Sequence, residues 1–354
     1  MFKKIGFITL TVIFCITSFI IWFFSLLGNE LKTDYSQQQP KDIRYILEGV
    51  NVSRGRILAV LTSEDTLGAT GKSTGYELTE LARAFYVFQA NGFTVDIASV
   101  EGGEPSMVVD ADDMGKFDYA FLNDEKAMFK VKNSFAIKRA NLAIYDAIYF
   151  VGGKGAMFDF ASDVSIKAAV SYFWQTNKVI AAVCHGPAAF VDVVSDTGEY
   201  FVENKQVSAF TNSEELFFIP DAKNIFPFLL ETKLREQSAT FIAGENYLNQ
   251  VSVHDNLITG QNPWSVWEVA EETIKALGYE PLPRVKTPEE NSVQILKIFV
   301  TQGYESALRV ISELNQTPNT NISRLTIATH ALVAGIKGKL YKSSQLLMLL
   351  NAVE

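Results

Sequence analysis

Cysteine and histidine are scarce in this chain. Two cysteines, Cys15 and Cys184, and three histidines, His185, His254 and His330, are spread through 354 residues. The two cysteines lie far apart, so no disulfide framework is expected. No two histidines stand at metal-ligand spacing, so no metal site is expected. Clustered positive charge is also missing. The formal net charge is -9, and no basic block follows the first four residues. Phosphate backbones require grouped Lys and Arg, which argues against a nucleic-acid partner.

Length and composition fit a large α/β domain or two ordinary ones, with 48% hydrophobic and 20% charged residues. The N-terminus stands apart. After Lys3 and Lys4, the run from Ile5 to Leu27 carries no charge. At about 1.5 Å per residue it is long enough to cross a hydrocarbon core of about 30 Å. It lacks the small residues of a signal-cleavage site. The expectation is an uncleaved transmembrane anchor over residues 1–28, with the N-terminus cytoplasmic and the remainder extracytoplasmic. Cys15 reads as a small apolar residue facing lipid. The polar stretch "KTDYSQQQPKD" lies in an expected linker, residues 29–54.

From residue 55 the pattern alternates. "GRILAVLTS", "FTVDIAS", "YDAIYFVGG", "KVIAAV", "KQVSAF" and "NLITG" read as strands. "GYELTELARAFYVFQANG", "SIKAAVSYFWQTN", "HGPAAFVDVV" and "SVWEVAEETIKALG" read as helices. Such alternation predicts an α/β domain over 55–280, with a mostly parallel sheet covered by helices on both faces. Beyond "EPLPRVKTPEE" the strand signal ends, and residues 281–354 read as a helical extension of about four short helices.

Cys184 closes the strand "KVIAAV" and is followed at once by His185 and Gly186. A sharp strand-to-helix turn there would hold a small nucleophile above the sheet, in the nucleophile-elbow arrangement. The helix that follows would favour a thiolate and lower the thiol pKa. His185 would act as base or orienting partner. Gly152 and Gly153 end the neighbouring strand, where a backbone N–H together with that of His185 would hold an oxyanion.

The stretch "VIAAVCHGPAAF" closely resembles the cysteine elbow of the ThiJ/PfpI superfamily, within the flavodoxin-like, class I glutamine amidotransferase-like fold. "TGYELTELARAFYVFQANGFTVDIASVEGGEP", "YDAIYFVGGKGAMFDF", "VSAFTNSEE", "PFLLETKL" and "NLITGQNPWS" resemble further family segments in order, from about Arg56 to Leu277. The similar branch holds glutathione-independent glyoxalases and related stress chaperones. The resemblance implies a glutamate on the first helix, twelve residues before its closing glycine. Counting back from Gly92 gives Glu80, with Glu77 as the fallback. It implies an acid partner for His185 in "AFTNSEE", where position favours Glu215 over Glu214. Lys154 stands where the family commonly has histidine, and Ala84 where it commonly has proline.

The implied chemistry is that of a cysteine-dependent lyase converting 2-oxoaldehydes such as methylglyoxal to hydroxy acids, without a cofactor. Its partners are a small carbonyl substrate and, through the N-terminal helix, a membrane. A homodimer is one assembly this allows, and the helical tail is one place for a protein partner. A stress chaperone or redox sensor using the same thiol, and a cysteine peptidase or amidase, stay open as alternatives.

Overall fold

The computed structural model describes residues 14, 17, 18, 21–27, 34–111, 113–318 and 320–353. Two compact units emerge, one spanning Tyr35–Arg284 and the other made of Met1–Asp34 with Val285–Glu354.

The larger unit is built on a seven-stranded sheet. Its strands in chain order are β1 (Gly55–Leu61), β2 (Phe93–Ser99), β3 (Phe135–Ala136), β4 (Ala147–Phe150), β5 (Val179–Val183), β6 (Val251–His254) and β7 (Leu257–Gly260). Their spatial order is β6-β7-β5-β4-β1-β2-β3. All neighbours are parallel except the β6–β7 pair. Helix α1 (Leu78–Ala90) crosses between β1 and β2, and α2 (Val164–Gln175) between β4 and β5. Alternate strand residues feed two apolar cores. Ile57, Ala59, Leu61, Ala181 and Val183 face one, while Leu58, Val60, Ile180 and Ala182 face the other. A sheet buried on both faces explains why these strands read as continuous apolar runs.

The register sets the site. Val60 pairs with Phe150 and Phe150 with Ala182, while Val183 pairs with Gly260. The residues just past those positions, Gly152–Gly153 on one strand end and Cys184–His185 on the next, therefore emerge side by side.

Several local expectations need correction. The ten-residue helix expected after Cys184 is a short 3-10 turn, Gly186–Phe190. Pro187 removes a backbone donor there, and Val191 is already extended. Of "KQVSAF" only Gln206–Val207 is strand, paired with Thr240–Phe241 outside the main sheet. Strand β6, not foreseen, joins β7 through a tight turn with Asp255 at φ 52°. The compact α/β unit begins at Tyr35 rather than at 55. Ile43 is buried, and Asn123 Nδ2 donates to the carbonyls of Ser36 and Gln38 at 2.8 and 2.9 Å.

Among the described residues no helix is long and apolar enough to cross a membrane. That finding overturns the expected anchor over 1–28 and, with it, the membrane partner and the single-pass localisation. At the end of that segment the last helical residues described are 21–25, followed by a turn. Most of the remaining residues of the expected span lie outside those described.

Among its described residues the smaller unit contains the helices α3 (Pro288–Gln302), α4 (Tyr304–Gln316), α5 (Arg324–Ile336) and α6 (Leu340–Asn351). Its buried residues include Leu296, Ile311, Ala331, Leu349 and Leu27. The Arg324 guanidinium donates to the carbonyls of Leu26 and Val353 at 2.7 and 2.5 Å, which ties the N-terminal stretch to the last helix within this unit.

Candidate functional site

Cys184 sits at the tip of β5 with φ 59°, a left-handed conformation that a non-glycine residue adopts only when its surroundings enforce it. Two backbone hydrogen bonds do so. Cys184 N–H donates to Gly260 O at 2.9 Å, and Phe210 N–H donates to Cys184 O at 2.9 Å. Gly186 completes the bend, since a Cβ there would lie 2.3 Å from Phe150 O.

Four of the expected side chains meet at this tip. Cys184 Sγ lies 3.3 Å from His185 Nδ1, and His185 Nε2 lies 2.6 Å from Glu215 Oε2. A hydrogen on Nε2 donates to Glu215, which leaves the Nδ1 lone pair facing the sulfur. Phe210 packs on the imidazole with ring centroids 4.6 Å apart. From the other side, Glu80 on α1 pairs with the Cys184 thiol, and its Oε2 accepts the Gly152 N–H at 2.9 Å. Glu80 is 0% and Cys184 5% exposed, so the pair is sealed.

Burial decides the electrostatics. Desolvation, followed by the neighbouring Glu77 charge, pushes the Glu80 carboxyl well above its usual range. Desolvation likewise raises the Cys184 thiol, helped by Glu80 and then by Glu214 and Glu215. A thiol lowered by a following helix was expected. Burial, and then the surrounding carboxyls, reverse the direction. Both groups resist holding a charge, so the two are not ionised together; when one of them ionises, a single proton is left between them.

The adjacent glutamates separate cleanly. Glu215 faces His185. Glu214 caps its own helix, accepting from Thr211 N–H at 3.1 Å and Thr211 Oγ1 at 2.8 Å. Its other oxygen accepts from Tyr247 N–H, Gln261 Nε2 and Asn262 Nδ2 at 2.8, 3.0 and 2.9 Å. The two glycines separate as well. Gly152 N–H is occupied by Glu80, so it does not face a substrate as expected. Among the described residues, the N–H groups of Gly153 and His185 donate to no protein acceptor. At Gly152 an added Cβ would meet Glu80 Oε2 at 2.5 Å and Cys184 Cβ at 2.9 Å.

Glu77, three residues before Glu80, is half-buried rather than solvated, and its Oε1 is sealed without a hydrogen-bond partner. Burial and Asp110 push its carboxyl up to about 8, opposed by Lys154. The i, i+3 spacing was the available signal for this placement. No spacing signalled Phe210 or the Gly152–Glu80 bond. His254 lies on β6, half-buried, with Asp255 3.8 Å away.

The sequence profile of the DJ-1/PfpI family matches residues 72–199. Over 237 residues the chain is 30% identical to the glutathione-independent glyoxalase HSP31 of Saccharomyces cerevisiae, covering 98% of that protein. The chain belongs to the DJ-1/PfpI family. It is also 29% identical over 240 residues to glyoxalase 3 of Candida albicans, covering 98% of it. Among solved structures, the rapid encystment protein of Francisella tularensis superposes with a TM-score of 0.60 at 32% identity, over 63% of this chain and 99% of that one. Glyoxalase III from Candida albicans gives a TM-score of 0.57 at 26% identity, over 64% of this chain and 98% of that one.

Proposed function

We propose that this DJ-1/PfpI family protein is a glutathione-independent glyoxalase that converts a 2-oxoaldehyde such as methylglyoxal to the 2-hydroxy acid. The observation that carries the reading is the convergence of Cys184, His185, Glu215 and Glu80 on one strand tip. The names of relatives covered over nearly their whole length support it.

The chemistry follows from the shared proton. When that proton rests on Glu80, the sulfur is a thiolate and attacks the aldehyde carbon. A C–S bond forms and the carbonyl electrons move to oxygen. The N–H groups of Gly153 and His185, on the two neighbouring strand ends and without protein acceptors among the described residues, are the proposed donors to the developing oxyanion. Glu80 hands its proton to that oxygen, giving the hemithioacetal, and becomes a carboxylate. As a carboxylate made strongly basic by burial, it takes the proton from the same carbon, leaving an enediolate, and returns it to the adjacent carbon, while the hydroxyl proton of the first carbon passes to the oxygen of the second and the first becomes the thioester carbonyl. One carbon is thereby oxidised and its neighbour reduced, so no external oxidant is needed. The thioester that results is attacked by water, with His185 accepting the water proton through Nδ1. The C–S bond breaks with its electron pair on sulfur, and the proton held on Nδ1 returns to the Cys184–Glu80 pair, which restores its single proton.

The test is loss of methylglyoxal and formation of lactate without glutathione, comparing wild type with Cys184→Ala and Glu80→Gln. Cys184→Ala falls to background. Glu80→Gln loses about 10²- to 10⁴-fold in kcat, the usual contribution of a positioned acid–base group. Turnover retained by Cys184→Ala sinks this route.

A further inference from the structure

The geometry points to Glu77 as a positioning residue that sets the charge state of the sealed Cys184–Glu80 pair and passes its protons to solvent. This inference rests on the glyoxalase reading above. Aldehyde plus water gives a hydroxy acid that ionises, so each turnover puts one proton into the site that must leave it. None of the four converging groups offers an open way out. Glu80, His185, Glu215 and Cys184 are 0%, 2%, 3% and 5% exposed. The second oxygen of Glu80, Oε1, is buried with no protein partner.

Glu77 is the carboxyl whose charge couples to Glu80, and it is half-buried rather than sealed. Its backbone is held on two sides. Its N–H donates to Gly152 O at 3.1 Å, and it pairs with Val108 in a short parallel ladder. Gly153 is glycine for this reason, since a Cβ there would lie 2.6 Å from Glu77 N, with φ at 102°. The same strand end that supplies the Gly152 N–H to Glu80 thus fixes Glu77 one turn before it. Like Glu80, Glu77 carries one buried oxygen without a partner. The charged groups facing it are Asp110 and Asp113, which raise its proton affinity, and Lys154 and Arg83, which lower it. Glu80 lies on its inner side, and the Tyr76 hydroxyl feels its charge. A carboxyl so placed gains and loses a proton near neutrality, which suits it to relay one.

The experiment measures alkylation of Cys184 by iodoacetamide from pH 6 to 10 in the full chain, followed by mass spectrometry of the Cys184 peptide. Wild type, Glu77→Gln and Glu77→Asp are compared. Below about pH 7 Glu77 is protonated and neutral like glutamine, so the rates coincide. Above about pH 8 its negative charge opposes thiolate formation in the wild type. Glu77→Gln then reacts about fivefold to tenfold faster, the size expected of one charge across a partly desolvated gap. Glu77→Asp restores the wild-type curve. Curves that superimpose, or that differ by a constant factor at every pH, overturn the inference. In methylglyoxal turnover, Glu77→Gln lowers kcat with KM unchanged and enlarges the solvent deuterium isotope effect. An unchanged isotope effect removes the relay role. Alkylation curves that diverge while wild type itself turns over no methylglyoxal refute the glyoxalase reading and leave the coupling of Glu77 to Cys184 standing.

Discussion

Replacing Gly152 with alanine inserts one methyl group between the acid and the thiol, and the structure predicts its cost. The new Cβ would lie 2.5 Å from Glu80 Oε2, 2.6 Å from Val183 O and 2.9 Å from Cys184 Cβ. Two of these neighbours cannot move. Val183 belongs to a strand paired on both sides, and Cys184 is pinned through Gly260 and Phe210. Glu80 must therefore withdraw. Overpacking of this kind costs about 1–3 kcal/mol. Withdrawal also breaks the 2.9 Å bond from Gly152 N–H and leaves a buried donor unpaired, for about 1–3 kcal/mol more. The sum, roughly 2–6 kcal/mol, lowers Tm by roughly 5–20 °C in a domain of this size. A misplacement of about 1 Å at the acid costs about 10²-fold in kcat. Gly115→Ala is the control, because the nearest atom to its Cβ, Asp118 Oδ2, is 3.9 Å away. Thermal unfolding and methylglyoxal turnover of both variants decide the matter. A Gly152→Ala protein with wild-type Tm and wild-type kcat would refute the wedge between Glu80 and Cys184.

Glu215→Ala removes the partner that His185 Nε2 holds at 2.6 Å, so the imidazole loses its fixed tautomer. The expected result is a fall in kcat of about 10² to 10⁴, the scale seen when an orienting acid is lost, together with a Tm lowered by several degrees because the buried Nε2–H is left unpaired. A kcat within threefold of wild type, on the order of RT in activation free energy, would show that His185 needs no orienting acid. Asp159 gives a pH test. Burial pushes its carboxyl up to about 7, against the Ser63 N–H and Thr62 hydroxyl it accepts. The unfolded chain loses that proton near pH 4, so the native state holds more protons between about pH 4 and 7. This contribution is therefore complete below pH 4 and lost as pH rises through 7. Asp159→Asn mimics the protonated form and should raise Tm at pH 8 by several degrees while leaving Tm at pH 4 unchanged. Equal shifts at both pH values would rule the raised carboxyl out.

Fold and site were legible in the sequence to different depths. The central strands of a doubly covered parallel sheet are apolar throughout, so "GRILAVL" and "KVIAAV" stood out without any partner in view. The turn after Cys184 was misread because Ala188, Ala189 and Phe190 look helical, while Pro187 and the extended Val191 act through the backbone. Glu80 and Glu77 carry the same residue type on one helix end, and only packing shows that one is sealed and the other half open. Between the adjacent Glu214 and Glu215 the sequence offered only a positional preference for the second. The capping box from Thr211 draws the first toward its own helix, and the roughly 100° turn to the next residue directs the second at His185.

The direction of the thiol shift changes how the nucleophile must be made. A helix dipole would hold a standing thiolate, ready before substrate arrives. Here the turn after Cys184 is five residues long, and three carboxyls, Glu80, Glu214 and Glu215, oppose a negative sulfur. A standing thiolate is costly under those conditions unless one carboxyl gives up its charge. Glu80 is the one able to do so, because burial raises its own proton affinity together with that of the sulfur it touches. Thiolate and protonated Glu80 therefore form together, by movement of one proton, and no net charge is added to the buried site. On the proposed glyoxalase route the same exchange would leave Glu80 as an acid when the oxyanion forms and as a base immediately after. The burial that makes the thiol a poor acid is thus what lets one carboxyl serve both steps, and Glu80→Gln should remove thiolate formation and proton transfer together rather than either alone.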